Sequence, residues 1–422
     1  MDILRWLKNH SIYPRLYWCD RGGNVEIGGF GSLINISENN PGGLLAAFDK
    51  LSAILDRHPQ KAQVRFLGGT CFFPQKKRDR RWEGFPLLSF VLPEVVMLRK
   101  NGEFFVSVGV LPENHESEDD ISARILRCFK KTKTKGLSPI RNQFPQVITR
   151  RDCPDYAGWR NNVNTSLQKI DDGAIDKVVL ARRTDVTFKE AVEAVEYVHA
   201  LKRANDRCYF FLFQPGQTIA FLGATPERLL KIEGNRLVSE AVSGTVARGA
   251  NSDEDEHRGA WLLENQKELS EQRFVRNDLI AKFRIIAKEI QIPELPKVVK
   301  LANVQHLISK ISGVLRNGIS IGQMVSSLHP TAAVGGCPAS AAIGLIECLE
   351  PFSRGWYAGP VGIISHELTE MAVGIRSSLL IDRVVSLFTG AGIVKGSTPE
   401  SEWKEIEDKM CTAFKILSRG GT

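Results

Sequence analysis

Two pairs of glutamates share one spacing. Glu268 and Glu271 lie in KELSEQRF, and Glu402 and Glu405 lie in SEWKEIEDK. On a helix, a separation of three turns both carboxylates of a pair onto one face. Like charges there repel. Each pair is therefore either a solvated acidic face, helped by the helix dipole where it lies near an N-terminus as Glu402 does, or part of an oxygen site for one hard cation. Carboxylates at a partly hydrated site suit Mg²⁺, and no His/Cys cluster in the sequence competes for a softer metal. Two other residues could move protons. Glu227, in ATPERLL, follows an apolar run and a proline. It is a simple turn residue or a carboxyl group held at the end of a sheet, where a general acid can be aimed. Lys177 opens the apolar run KVVLA. A lysine there either snorkels from the strand end or, if desolvated, becomes a base near neutral pH.

The stretch TGAGIVKGS, residues 389–397, looks at first like a phosphate loop. A Walker A loop needs GxxxxGK[ST], and here Lys395 precedes Gly396. A dinucleotide fingerprint needs GxGxxG, but Gly390, Gly392 and Gly396 give a spacing one residue too long. The expectation is instead a glycine turn whose backbone N–H groups let an anion approach.

These residues need elements to position them. YAGWRNNVNTSLQKIDDG reads as an amphipathic helix closed by Gly173, and KVVLARRTDV as a strand. EAVEAVEYVHALKRAN is a helix, and CYFFLFQ and TIAFLGA are strands joined at Pro215-Gly216. RLLKIEGNRLVSEAV is a hairpin turning at Gly234-Asn235. Beyond Ser252 the chain is helical to about residue 290; a run of strands from WYAGPVGIIS to FTGAGIV then precedes a helix entered through Thr398-Pro399. Successive strands with short turns give an antiparallel sheet flanked by helices, so the fold class is α+β rather than doubly wound α/β. The first 150 residues carry weaker signals, FFVSVGV being the clearest strand there.

Composition narrows the classes further. The 422 residues are 43% apolar and 25% charged, as in ordinary globular chains. No signal peptide and no membrane-length apolar run is visible, so a cytoplasmic protein is expected. The eight cysteines form no CxxC pair and read as buried thiols. A net charge of +8 attracts small anions. The basic clusters KKRDRR (76–81) and KKTKTK (130–135) could mark a nucleic-acid patch, but neither interleaves aromatics and solvated loops explain them as well.

Taken together, DKVVLAR (176–182), FLGATPERLL (221–230), SEAVSGTVARG (239–249), KELSEQ (267–272), VQHL (304–307), HPTAAVGG (329–336), EPFSRGWYAGPVG (350–362), GIRS (374–377) and TGAGIVKGSTPESEWKEIEDK (389–409) resemble the chorismate-utilising enzymes. That family includes isochorismate synthase, salicylate synthase, anthranilate synthase component I and aminodeoxychorismate synthase component I. The match covers about 250 residues in the family's order, and YPRLYW (13–18) is similar to the menaquinone-pathway isochorismate synthases. The resemblance implies a four-layer α/β/β/α core of two large antiparallel sheets packed face to face, helices outside. It implies one such fold over 1–422, residues 1–150 completing the sheets and 155–420 forming the catalytic region. It further implies Lys177 as the base that activates water for attack at C2 of chorismate, and Glu227 as the acid that protonates the departing C4 hydroxyl. Glu271 and Glu405 would ligate Mg²⁺, with Glu268 and Glu402 beside them. Backbone around Gly244 and Thr245 would assist the metal in holding the ring carboxylate. Tyr357, Arg376, Lys409 and the turn from Gly390 to Gly392 would bind the enolpyruvyl carboxylate, and His306, Ala333 and Val334 would line the ring pocket. Anthranilate synthases typically carry glutamine where this chain has Lys177, and use ammonia. The lysine thus implies water as nucleophile; aminodeoxychorismate synthases also have a lysine there, but their motif around the AGT-like element differs, and SEAVSGT with its acidic Glu240 resembles the isochorismate type, so no glutamine amidotransferase subunit is expected. Gln272 departs from the histidine of many relatives. The implied product is isochorismate, for menaquinone synthesis, with salicylate synthase or siderophore synthesis as alternatives; a monomer or weak dimer is expected, without nucleic acid or membrane.

Overall fold

The computed structural model of the chain describes residues 2–57, 64–74, 79–132, 136–300 and 304–418. Among these, two sheets of eleven and ten strands form the body of the protein. The first runs in the order Gly336–Cys337, Lys177–Phe188, Val384–Ile393, Ser377–Ile381, Ile219–Thr225, Tyr209–Gly216, Arg15–Cys19, Val25–Phe30, Val95–Lys100 and Glu103–Val108, with Val147–Cys153 also paired to Lys177–Phe188. The second runs Ala287–Gln291, Val304–Leu315, Arg236–Ala247, Arg228–Glu233, Leu368–Val373, Pro360–Ser365, Arg65–Thr70, Leu88–Leu92 and Ile34–Glu38, with Lys297–Lys300 beside Val304–Leu315. Every pairing is antiparallel. The α+β class read from the sequence holds. Strands from the first 150 residues stand in both sheets.

The unbroken apolar runs have a simple cause. Side chains alternate across a strand, and the first sheet is covered on both faces, so both alternating sets must be apolar. Along 208–213, Tyr209, Phe211 and Phe213 enter the core that also holds Phe66, Phe90 and Trp356, while Cys208, Phe210 and Leu212 face a second core with Tyr17. Helices Ile3–Lys8, Ala194–Ala204 and Pro399–Ser418 contribute Leu4, Tyr197 and Met410 to that second core. Across the molecule, helix Gln266–Ile286 lies on strands Arg236–Ala247 and Val304–Leu315 and buries Val275, Leu279 and Phe283. Each such side chain contributes about 1.5–3 kcal/mol by leaving water.

The helix expected from Tyr156 spans Tyr156–Asp171, and Gly173 after it takes the left-handed φ of 72°. The hairpin turns at Gly234, as read. Two turns were misplaced. Pro215-Gly216 belongs to a strand with a local bulge, and the chain reverses at residues 217–218 instead. The expected turn from Gly390 to Gly392 is regular strand, with Gly390 opposite Ala181 and Gly392 opposite Val179. Its alternating small residues suit a strand whose one side meets bulky groups, as described below. Residues 76–78 and 133–135 of the basic clusters lie outside the described residues. Of the rest, Arg81 pairs with Asp185 at 3.2 Å. No helix among the described residues is long and apolar enough to cross a membrane.

Candidate active site

Two strand-to-strand crossings create the site. Strand Ile219–Thr225 of the first sheet continues, through Pro226 and Glu227, into strand Arg228–Glu233 of the second. Strand Leu368–Val373 returns from the second sheet, through residues 374–376, into strand Ser377–Ile381 of the first. The crossings run side by side, tied by Val373 N–H to Glu227 C=O at 3.0 Å and Ala224 N–H to Arg376 C=O at 3.2 Å. They carry Glu227 and Arg376 into one cavity, lined also by Gly244, Thr245, Glu271, His306, Ala333, Val334, Tyr357, Gly390, Gly392, Glu405 and Lys409. Of the catalytic, cation-binding and substrate-binding candidates named from the sequence, Lys177, Glu268 and Glu402 are not among the lining residues.

Lys177 is fully buried. It pairs with Glu271 at 2.9 Å and reaches Ser243 Oγ at 3.5 Å. The two glutamate helices enter the site by their N-terminal turns. Asn265 caps helix Gln266–Ile286 by accepting the Glu268 N–H at 3.1 Å, and Thr398 Oγ1 accepts the Ser401 N–H at 3.2 Å at the start of helix Pro399–Ser418. In strand Arg236–Ala247 the register shifts between Ser243 and Thr245. Gly244, at φ 74°, is the extra residue of this bulge. The bulge aims the Thr245 N–H at Glu268 Oε2, 2.8 Å away. A side chain on Gly392 would put its first carbon 2.4 Å from Glu271 Oε1 and 3.0 Å from Lys177 Cε, and one on Gly390 would stand 2.9 Å from the Tyr357 hydroxyl. These glycines make room for site side chains; they do not form a turn.

The electrostatics divide the carboxyl groups. Burial pushes Glu227 up to about 8, with Lys177 opposing and Glu240 adding to the rise. Its carboxyl group makes no hydrogen bond among the described residues and is a neutral acid near pH 7. Burial also pushes Glu271 up, but the Lys177 charge and hydrogen bonds from Lys177 and Ser243 pull harder and leave it at about 2. Burial, then the neighbouring Glu271, raise Glu268 to about 7. Glu402 is raised by burial and by Glu405, against the pull of Lys267 at 2.9 Å. Burial lowers His306 to about 3, so its ring is neutral, with Nδ1 3.1 Å from both Thr245 Oγ1 and the Gly244 carbonyl. Lys409 bonds Glu405 at 2.5 Å and the Gly390 carbonyl at 2.9 Å, and Arg376 donates to the Lys409 carbonyl at 2.9 Å.

Whether these carboxylates suit a cation can be tested on their surroundings. Among the described residues no three potential ligand groups stand together as a ready metal cage, because Lys177, Lys267 and Lys409 hold Glu271, Glu402 and Glu405. Yet Glu402 Oε2 is buried without a hydrogen-bond partner, and Glu268 and Glu402 are both raised by burial and like charge. An all-oxygen set with unspent acceptor capacity and excess negative charge fits a hard divalent cation.

Several contributors were not read from the sequence. Val179, Pro226, Val242, Ser243, Ile375, Phe388 and Thr389 also line the cavity. Glu350 and Arg354, within the quoted EPFSRGW, form a buried pair. Glu350 accepts the Ala181 N–H at 2.8 Å, and Arg354 donates to the Val334 and Val179 carbonyls at 2.8 and 2.7 Å, holding strand Lys177–Phe188 against the Ala333–Val334 segment. Gln272 is a buried structural contact, its amide bonding the Ala241 carbonyl at 3.1 Å and Ser309 at 3.2 Å.

The geometry has counterparts among known proteins. Residues 1–418 match the family described as chorismate binding enzyme. The chain is 31% identical over 416 residues to isochorismate synthase MenF of Escherichia coli, covering 99% of this chain and 90% of that protein. It is 33% identical over 364 residues to isochorismate synthase MenF of Bacillus subtilis, covering 86% and 76%. The solved structure of the menaquinone-specific isochorismate synthase MenF from Escherichia coli superposes with a TM-score of 0.88 at 30% identity, over 99% of this chain and 91% of that one. With its two-sheet body and the cavity at the crossings between them, this chain belongs to the chorismate-binding enzymes.

Proposed function

We infer that the protein is an isochorismate synthase: it adds water at C2 of chorismate and expels the C4 hydroxyl. The observation that carries this reading is Glu227, a buried carboxyl group that burial pushes up to about 8, lining one cavity with Arg376 and Lys409 in a chain of this family. Chorismate is a dianion with a poor leaving group. It needs positive charge to bind and a proton donor to react. Lys177, in its neutral form, takes a proton from water as the water oxygen bonds to C2. The ring double bond shifts, the C4–O bond breaks, and Glu227 gives its proton to the departing oxygen, which leaves as water. Proton exchange with solvent then restores both groups.

Arg376, Lys409 and Tyr357 bind the enolpyruvyl carboxylate, and Gly390 and Gly392 leave room beside them. The ring lies against His306, Ala333 and Val334, with backbone at Gly244 and Thr245 beside its carboxylate. Glu271 and Glu405, supported by Glu268 and Glu402, would hold Mg²⁺, which when bound supplies positive charge to the ring carboxylate. Residues 1–422 act as one catalytic unit in this reading, residues 1–150 completing the sheets around the region 155–420. The pathway that fits is menaquinone synthesis, in the cytoplasm, by a monomer or weak dimer without an amidotransferase subunit.

Incubation of the purified protein with chorismate and Mg²⁺, followed by separation of the products, tests the assignment. Isochorismate without pyruvate is the expected result. Stoichiometric pyruvate with fluorescent salicylate would make the protein a salicylate synthase instead.

A further inference from the structure

Behind Glu227 lies a chain of charged groups that the roles above leave unused. Arg21, in the turn after strand Arg15–Cys19, donates to the Pro226 carbonyl at 3.0 Å and to Glu240 Oε1 at 2.6 Å. Arg228, on the other side of Glu227 in sequence, donates to the same Oε1 at 2.7 Å. Arg228 continues to the Tyr209 hydroxyl at 2.8 Å and to Glu370 at 3.1 Å, and Tyr209 donates to Glu370 at 2.7 Å. Both neighbours of Glu227 are therefore tied to one carboxylate, Pro226 through Arg21 and Arg228 directly. Glu240 is 5% exposed, and its Oε2 is buried with no hydrogen-bond partner.

This arrangement explains how an acid can be held in place without hydrogen bonds of its own. The backbone on each side is fixed, so the carboxyl group itself stays free to give its proton away. The arrangement also puts a carboxylate near the acid. Two arginines, Arg21 and Arg228, balance two glutamates, Glu240 and Glu370, so the network brings no net charge. Among the charged and titratable groups that act on Glu227, Lys177 and Lys409 favour its ionised form, whereas Glu240 opposes it, and Tyr357 is also close enough to sense its charge.

We propose that Glu240 is a positioning residue for the acid: it fixes the backbone on both sides of Glu227 and, by its charge, keeps Glu227 protonated between turnovers, while Arg21 sets how much of that charge Glu227 feels. The proposal rests on the reading of Glu227 as the general acid. It predicts pH effects of opposite sign for two substitutions in one network, which a purely structural role would not produce. Glu240→Gln keeps an oxygen for the arginines but removes the negative charge and leaves both arginines uncompensated. The alkaline limb of the kcat profile then moves toward acid. For a displacement of about one pH unit, kcat falls about tenfold above the limb and stays within about twofold at pH 6, with KM little changed. Arg21→Gln removes a positive charge and unmasks Glu240, so the same limb moves toward alkali. The Arg21 side chain is partly exposed, so this second variant remains informative if Glu240→Gln does not fold.

The profiles of wild type, Glu240→Gln, Arg21→Gln and Glu227→Gln would be recorded with chorismate as substrate. Opposite displacements of the limb in the first two variants support the proposal, and so does a displacement toward alkali in Arg21→Gln alone if the other is unfolded. A limb that stays in place in both, or moves the same way in both, overturns it. If Glu227→Gln is inactive while the limbs do not move, the acid stands and only the role of Glu240 falls. If Glu227→Gln is fully active, the acid reading falls and the proposal falls with it.

Discussion

Glu227→Gln should stabilise the protein while abolishing turnover, and the gain should depend on pH. Burial raises this carboxyl from 4.5 to about 8. Between those values the folded state keeps a proton that the unfolded state has lost. Stability therefore falls as pH rises through this window, and levels off only above the folded value. Taking 1.36 kcal/mol per unit, the cost of burying this acid is under about 1 kcal/mol at pH 5 and on the order of 3 kcal/mol at pH 7. Glutamine has nearly the same volume and cannot ionise, so the substitution removes this cost without opening a cavity. Unfolding entropy near 2.1 cal/mol/K per residue gives a chain of 422 residues about 0.9 kcal/mol/K. The variant should then melt about 3 °C above wild type at pH 7 and less than about 1 °C above it at pH 5. Thermal unfolding of both proteins in buffers from pH 5 to 8.5 measures the difference. A gap that does not change with pH, or that shrinks as pH rises, would refute the assignment of Glu227 as a buried neutral acid, whatever the variant's activity.

The remaining expectations concern Lys177, Glu271 and Glu405, and the Glu350–Arg354 pair. Lys177→Ala should lower kcat by at least about 10²-fold, in the range of general-base catalysis, and leave the circular dichroism spectrum unchanged; near-normal turnover would remove Lys177 from the mechanism. Glu271→Ala and Glu405→Ala should each raise the Mg²⁺ concentration needed for half-maximal activity by about tenfold or more, since losing even a partner behind a ligand costs about that much, and unchanged titration curves would exclude them as ligands. Arg354→Ala should destabilise by about 3–5 kcal/mol, because it strands the buried Glu350 charge; chemical denaturation reads this directly, and a loss below about 1 kcal/mol would show that the pair is not the clamp its bonds describe.

How far the site could be read from the sequence depends on the distance over which each signal acts. The glutamate pairs were legible because a three-residue spacing on a helix is local geometry, and the caps at Asn265 and Thr398 begin those helices by bonds within three residues. Lys177 was legible as the head of an apolar strand for the same reason, but snorkelling and burial stayed open there, and the structure shows burial. Its partner was not legible, since Glu271 stands on an element ninety-four positions away and only folding brings them to 2.9 Å. The strand through Gly390 and Gly392 was misread because glycine carries two meanings. It permits turns, and it also leaves space for a neighbour. Only the positions of Glu271 and Tyr357 decide between them. Glu350 and Arg354 stand four residues apart and pair with each other, but that spacing does not show the distant backbone groups they hold, and Arg21 likewise acts on a carbonyl from a distant segment. The first 150 residues gave weak patterns because their strands are short and separated by excursions, although seven of them pair into the two sheets.

Placing Glu227 and Arg376 on paired crossings has a physical consequence. A loop would leave their separation to its own flexibility. Here Glu227 and Arg376 occupy neighbouring chain segments that hydrogen-bond to one another, so the bonds that tie the crossings together also fix the spacing of the two residues. The cost is visible at Arg376, whose φ of 50° lies in the left-handed region. That conformation costs a non-glycine residue about 1–2 kcal/mol. The bond from Ala224 N–H to the Arg376 carbonyl and the close packing at Gly374, where a side chain would meet the Gly359 and Trp356 carbonyls at 3.0 Å, leave the segment no other path. Glycine at 376 would relieve the strain but remove the guanidinium that points into the cavity. Strain held at a residue that packing over-determines is the pattern of a site kept for function. The same crossing that turns the backbone against its preference is the one that carries Arg376 into the cavity it shares with Glu227.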